Sequence, residues 1–484
     1  MNGPIRRLAL GVFGLMGALL LAVTWFQVVR ADDLKTDPRN PRPALTERGK
    51  ERGLIVASDG IILAQSIEDP EHREFLREYP EGPAFAHAVG YSSFLVGETG
   101  LEAAYSSELR SRRDLTISDL IAALLGRDLR PKSLEITIDP QLQRAAYQAL
   151  GNRRGAVVAL DPRTGAILAS VSTPSFDPEL LLGNDAAAQW EAMLIDPAQP
   201  LADRGTKELF APGSTFKTVV SAAGIDTGAV GPGSIFDDPE EFDLPGSEAT
   251  ISNFSGRVCN DGVSVTLLDA FVRSCNTTFA DLAIQLGAVD IGITSEALGF
   301  NTDIPYEWAV PQAAWDTESL LNDPAALGQS GIGERDVRVT PLHMAMIAGA
   351  VANNGLVANP YLVKRIYDSG GETVETVEPT EFGRAMAPET ASVLAQMMER
   401  VVTEGTGRLA AVPAVRVAGK TGTATGASEF SNPWFIGFAP VDNPTIALAV
   451  LIEGSPESGE SATGGSTAAP IASTLFDVWL TSRP

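Results

Sequence analysis

Residues 210–220 read FAPGSTFKTVV, with Ser214 and Lys217 three positions apart behind Pro212 and Gly213. On a helix, positions i and i+3 share a face, so the Lys217 amine is expected to reach the Ser214 hydroxyl. The Pro-Gly pair marks a sharp helix entry. A serine in the first turn then sits among unpaired backbone N–H groups at the positive end of the helix dipole, and those donors can hold a developing oxyanion. A desolvated lysine can shed its proton near neutral pH and act as a general base. An S-x-x-K on a surface is common and means little alone, but the composition gives this one weight. Only seven of the 36 basic residues are lysine and the rest are arginine. Arginine stays protonated in proteins, so lysine at 217 points to proton transfer.

Two further clusters could serve the same chemistry. Lys420-Thr421-Gly422-Thr423 lies in a strand pattern. Gly422 lets a ligand backbone approach the strand edge, and the hydroxyls of Thr421 and Thr423 can take a carboxylate. The bland alternative is an ordinary turn. Ser274-Cys275-Asn276 falls at a helix entry or loop in FVRSCNTTFADLAIQLG. A hydroxyl there can pass a proton to a leaving amine, and an amide can hold a carbonyl. Each cluster alone is close to noise, but in the order S-x-x-K, S-x-N, K-T-G they are specific. The three histidines, His72, His87 and His343, are scattered, and His343 reads as a position on a buried helix. A serine nucleophile here needs a base other than histidine. The cysteines form no C-x-x-C, so no metal site is expected, and the chemistry asks for no cofactor.

These groups must be held by strands and helices. LEITI, from Leu134, reads as a strand, followed by a helix capped by Asp139 with Pro140 at its first position. Residues 155–172, GAVVALDPRTGAILASVS, read as a hairpin. Helical patterns follow around FAPGSTFK and over 388–404. Three successive strands then come in VRVAGKTGTA, PWFIGFAP and PTIALAVLIEG, and a last helix runs from about Ala468. Strands that follow strands indicate an antiparallel sheet with helices packed on it, an α+β fold. Before this region, RGLIVASDGIILAQS reads as two short strands about Ser58-Asp59-Gly60, and GETGLEAAYSSEL as a turn into a helix.

The chain of 484 residues is long enough for two domains, and its net charge of -25 argues against a nucleic-acid partner. Residues 8–29 form 22 positions without a charge, about the length that spans a bilayer. Arg6 and Arg7 precede it, so a retained anchor keeps residues 1–7 cytoplasmic and the remainder outside. A cleaved signal peptide is the alternative, but its apolar core is ordinarily shorter and Val29-Arg30-Ala31 makes a poor cleavage site. The polar, proline-bearing stretch that follows the anchor suits a linker. Two cysteines, Cys259 and Cys275, on the exported side permit a disulfide, and two separate buried thiols are the other reading.

Taken together, the three motifs and their surroundings resemble the class B penicillin-binding proteins, the membrane-anchored D,D-transpeptidases of bacterial cell-wall synthesis. RGLIVASDGIILA, GETGLEAAY, LEITIDPQLQ, GAVVALDPRTGAILA, VVTEGTG and GGSTAAP extend the likeness over nearly the whole chain. The compact first module is most similar to the actinobacterial type linked to elongation or septal growth. The resemblance implies a penicillin-binding/β-lactamase-like transpeptidase domain over 134–484, preceded by a small non-catalytic, dimerisation-like module over 30–133.

It also implies roles. Ser214 is the acylated nucleophile and Lys217 its base. Ser274 and Asn276 serve proton transfer and donor positioning, and Lys420, Thr421, Gly422 and Thr423 bind the substrate carboxylate. The N–H groups of Ser214 and Thr423 form the oxyanion hole. Partners follow as stem peptides ending in D-Ala-D-Ala, β-lactams, the membrane, and a glycosyltransferase of the SEDS type. Cys275 inside the second motif is a departure; bonded to Cys259 it would brace that loop. Two rivals share the site. A β-lactamase needs a water-activating base, for which Glu318 in E-x-x-L-N is the candidate. A non-enzymatic β-lactam sensor needs more membrane or cytoplasmic chain than the residues before Leu8 supply.

Overall fold

The computed structural model describes residues 2–30, 50–70, 74–110, 130–254, 256–426, 430–455 and 462–482. Most of the linker stretch, residues 31–49, lies outside them. The chain divides into two units, one of residues 1–51 with 68–76 and one of 52–67 with 77–484. The first contains a helix over Asn2–Thr24 that runs on as a π turn, Trp25–Val29. Helical structure thus begins ahead of Arg6 and Arg7. Gly3–Val29 is long and apolar enough to cross a membrane, with a mean hydropathy of 2.1 and none of it buried.

The second unit is organised on a five-stranded sheet. Its strands are β1 (Gly155–Leu160), β2 (Ile167–Thr173), β3 (Ala418–Thr425), β4 (Ser431–Ala439) and β5 (Ile446–Ile452). They lie in the order β3-β4-β5-β1-β2, and every neighbour is antiparallel. The helices that matter here are α1 (Pro140–Leu150), α2 (Lys217–Asp226), α3 (Leu267–Arg273), α4 (Asn276–Ala297), α5 (Pro341–Ala352), α6 (Pro388–Thr403) and α7 (Ala469–Thr481).

Side chains alternate across a strand, and both faces of this sheet are covered. Val157 and Ala159 of β1 pack with Leu142, Ala146 and Leu150 of α1 and with Phe476 and Trp479 of α7. Val158 and Leu160 belong to the core on the opposite side, with Met344, Ala345 and Ala348 of α5. That two-sided cover explains why β5, IALAVLI, is apolar throughout and buried throughout. His343 lies on α5 and is fully buried, as its apolar surroundings in the sequence indicate. Burial pushes its imidazole down to about 4, so it is uncharged at neutral pH, and it does not line the cleft described below.

One pairing is not visible in the linear sequence. LEITI, read as the opening of the later region, supplies the strand Ser133–Ile136, which runs parallel to Ile55–Val56 and antiparallel to Val363–Tyr367. Ile55 in turn faces Ala64 across the Ser58–Gly60 turn. The early hairpin therefore shares a sheet with a strand some three hundred residues later. A strand's partner is set by tertiary packing, and local pattern carries no record of it.

Candidate active site

The three motifs meet at one cleft of about 580 Å³, lined among others by Ser214, Ser274, Asn276, Thr421, Gly422 and Thr423. Ser214 does not lie in the first turn of an α-helix, as its spacing suggests. It occupies a 3-10 turn, Gly213–Phe216, that leads into α2 at Lys217. The turn is pinned on two sides. Gly213 N–H donates to Gly333 O at 2.9 Å. Gly213 has φ +52°, and a Cβ there would come within 2.6 Å of Thr423 O. Only glycine gives that conformation and that close approach without strain. Ala211 O, just upstream, accepts from Trp434 Nε1 at 3.0 Å. The nucleophile turn is thereby seated on β3 and β4.

Lys217 and Lys420 are both fully buried. Lys217 Nζ donates to Ser274 O at 2.8 Å and to Asn276 Oδ1 at 2.7 Å. Among the described residues no hydrogen bond joins it to Ser214 Oγ, so the expected direct reach is replaced by contacts to the S-x-N segment. A neutral amine has two N–H groups and one lone pair. Two strong acceptors match the two hydrogens and leave the lone pair for a proton. Desolvation, with the charge of Lys420 added, holds the Lys217 amine well below the usual lysine range. Lys420 Nζ donates to Ser274 Oγ at 2.8 Å and to Thr421 O at 2.9 Å, and burial pushes it down to about 7. Ser274 thus stands between two depressed amines, with its Oγ 3.5 Å from Lys217 Nζ.

Ser274 is reached through unusual backbone. It closes α3 in the left-handed conformation at φ 66°, and Cys275 then caps α4. A left-handed non-glycine residue persists only where its surroundings hold it. Here a disulfide joins Cys275 to Cys259, with Cα atoms 5.8 Å apart. Closing a loop of this length constrains the unfolded chain by about 3 kcal/mol in the entropic account. Asp238 accepts the N–H groups of Cys259, Asn260 and Gly262 at 2.6–3.0 Å. Asn253 Oδ1 accepts from the N–H groups of Asn276 and Thr277 at 2.7 and 3.1 Å. Asn253 and Asp238 are missed by sequence reading, because neither lies in a motif. Reduction of the Cys259–Cys275 bond is expected to slow penicillin acylation severalfold, by loosening Asn276 against Lys217. Stopped-flow acylation with and without dithiothreitol checks this, and equal rates would show that the Asn253 and Asp238 contacts suffice.

On β3, Thr421 Oγ1 lies 2.5 Å from Thr406 Oγ1, and Thr423 Oγ1 accepts from Gly464 N–H at 3.3 Å. Gly422 is packed so tightly that a Cβ would meet Thr215 Cγ2 at 2.8 Å and Pro212 O at 2.9 Å. Its missing side chain therefore serves the seating of the nucleophile turn. Glu318 sits exposed on the short helix Thr317–Leu320 and does not line the cleft. The carboxylate that does line it is Glu334.

The sequence profile of the penicillin binding protein transpeptidase domain matches residues 155–477, and that of the penicillin binding protein A dimerisation domain matches 52–134. The chain belongs to the penicillin-binding protein transpeptidase family. It is 40% identical to the peptidoglycan D,D-transpeptidase PbpA of Mycolicibacterium smegmatis, over 97% of each chain. To PbpA of Mycobacterium tuberculosis it is 38% identical over the full length of both. The structure of penicillin-binding protein A from M. tuberculosis as its ceftriaxone acyl-enzyme complex superposes with a TM-score of 0.83 at 35% identity, covering 90% of this chain and 99% of that one. The matching imipenem acyl-enzyme gives 0.82 at 36% identity, covering 90% and 100%. The class B, PbpA-like reading of the sequence and the transpeptidase fold both stand on these likenesses.

Proposed function

We propose that this chain is a peptidoglycan D,D-transpeptidase that works through an acyl-enzyme on Ser214. The observation that carries this is the convergence of two buried, depressed lysines on Ser274 beside a serine seated on the K-T-G strand. Ser214 Oγ attacks the penultimate D-Ala carbonyl of a donor stem and Lys217 takes its proton. The N–H groups of Ser214 and Thr423 hold the oxyanion, while Thr421 and Thr423 bind the terminal carboxylate and Lys420 adds positive potential. Collapse breaks the C–N bond, and the proton reaches the departing D-Ala amine through Ser274. Asn276 orients both Lys217 and the donor. β-Lactams acylate the same serine. The helix over Gly3–Val29 anchors the chain, with Arg6 and Arg7 cytoplasmic and the catalytic domain outside. A SEDS-type glycosyltransferase is the membrane partner that supplies glycan strands.

Intact mass of the purified chain after penicillin treatment, followed over hours, tests the reading. A single adduct that persists is expected. A rapidly lost adduct with drug turnover would mean hydrolysis, and no adduct would remove Ser214 from its role.

A further inference from the structure

Acylation leaves the proton balance of the second half-reaction open. An acceptor amine of the lysine type has a pKa near 10.4, so at neutral pH it arrives as an ammonium. The proton released when the amine attacks can return to Ser214 Oγ through Lys217 and Ser274. The extra proton of the ammonium needs a separate acceptor. Lys217 and Lys420 do not line the cleft where the acceptor enters; both amines are engaged with Ser274 and its neighbours, and Lys217 is already committed to the Ser214 proton.

Glu334 is the one carboxylate among the described residues lining the cleft, whose other charged lining groups are Arg257, Arg273 and Arg408. It is tied to the nucleophile turn through the backbone. Gly333 accepts the Gly213 N–H, and a Cβ on Gly333 would come within 2.0 Å of Gly213 O. Its Oε1 accepts from Thr425 N–H at 3.0 Å. Positions along β3 then order the cleft. Thr421 is bonded to Thr406, close in the chain to Arg408, Thr423 abuts Gly213, and Thr425 holds Glu334. Four residues of strand separate the Thr421 and Thr425 positions by about 13 Å. The anion-binding hydroxyl and the carboxylate so lie at opposite ends of the acyl position.

We propose that Glu334 receives the acceptor ammonium at the acyl-enzyme and takes its proton. This rests on the transpeptidase reading above. The ammonium gives H⁺ to the Glu334 carboxylate. The free amine attacks the Ser214 ester, the new C–N bond forms and the C–Oγ bond breaks. The amine's second proton passes to Ser214 Oγ, and Glu334 later releases its own to water. The groups facing Glu334 are Lys217, Arg338, and the N–H and hydroxyl of Thr425. Desolvation outweighs them and raises the carboxyl above its ordinary range, which brings it closer to the ammonium it must deprotonate.

The test uses the full chain in detergent, an N-acyl-D-alanine thioester as donor and Nα-acetyl-lysine amide, whose only amine is of the lysine type, as acceptor. Penicillin acylation is measured on the same preparations. Glu334→Gln keeps an acceptor for Thr425 N–H but cannot take a proton. It is expected to lower the ratio of amine transfer to penicillin acylation about a hundredfold at pH 7, the lower range of general-base effects. The deficit shrinks as pH rises toward the acceptor's own pKa, and Glu334→Asp recovers part of the transfer. Equal losses in transfer and acylation, no loss, or a deficit independent of pH would overturn the proposal alone. A deficit confined to hydrolysis of the penicilloyl adduct would assign Glu334 to water and overturn it too. Failure of the unaltered chain to form a penicillin adduct would overturn the transpeptidase reading itself.

Discussion

Lys217→Arg is expected to slow penicillin acylation by roughly 10³-fold, within the 10²–10⁴ range of general-base catalysis. Arginine keeps the positive charge and much of the length but cannot give up its proton. A role in charge or packing alone would survive the change at far smaller cost. In the unaltered chain the acylation rate should rise with pH and level off below the ordinary lysine range. The sign follows from the active species: Lys217 must be neutral, burial and the neighbouring Lys420 depress its amine, and the free base forms as pH climbs through that depressed value. Stopped-flow acylation across pH, with Ser214→Ala as the zero-rate reference, measures both effects. A plateau persisting in the arginine variant, or a loss under tenfold, would point to another base.

The second large effect lies away from the cleft. Glu102 is fully buried and bonds Arg52 Nη2 at 2.6 Å, Arg77 Nε at 2.6 Å and Tyr79 Oη at 3.1 Å. The side chains of Arg52 and Arg77 are only 11% and 5% exposed. Glu102→Leu leaves two guanidiniums buried beside an apolar group, although Arg52 keeps Glu98. Removing one partner of a buried ion pair costs about 3–5 kcal/mol. That is a large fraction of the ~5–15 kcal/mol that holds a domain together. Thermal unfolding followed by circular dichroism should show a drop of several degrees or more, with the protein still forming a penicillin adduct at low temperature. An unchanged midpoint would show that water reaches the cluster and screens it.

Much of the site was legible in the chain. Ser214, Lys217, Ser274, Asn276, Lys420, Thr421, Gly422 and Thr423 were read from residue type and order, and all but the two lysines line one cleft. Local chemistry explains why: lysine in an arginine-rich chain, glycine where backbone must approach, and Asp139 ahead of Pro140 each act over a few residues. The strands were equally legible, because β5 is apolar throughout and β4 is apolar over most of its length, runs that a sheet covered on both faces can bury.

The tertiary structure decided what depends on distant pairs. The sequence placed Ser214 and Lys217 on one helix face, whereas the fold turns Lys217 toward Ser274 O and Asn276 Oδ1. It put Ser133–Ile136 between strands from both ends of the chain. It exposed Glu318, whose motif was suggestive, and brought Glu334, which has none, to the cleft. The physical reason is common to all of these. A residue type limits which chemistry is available, but burial, hydrogen-bond partners and neighbouring charges determine which form of it is present, and those are supplied by segments far away along the chain.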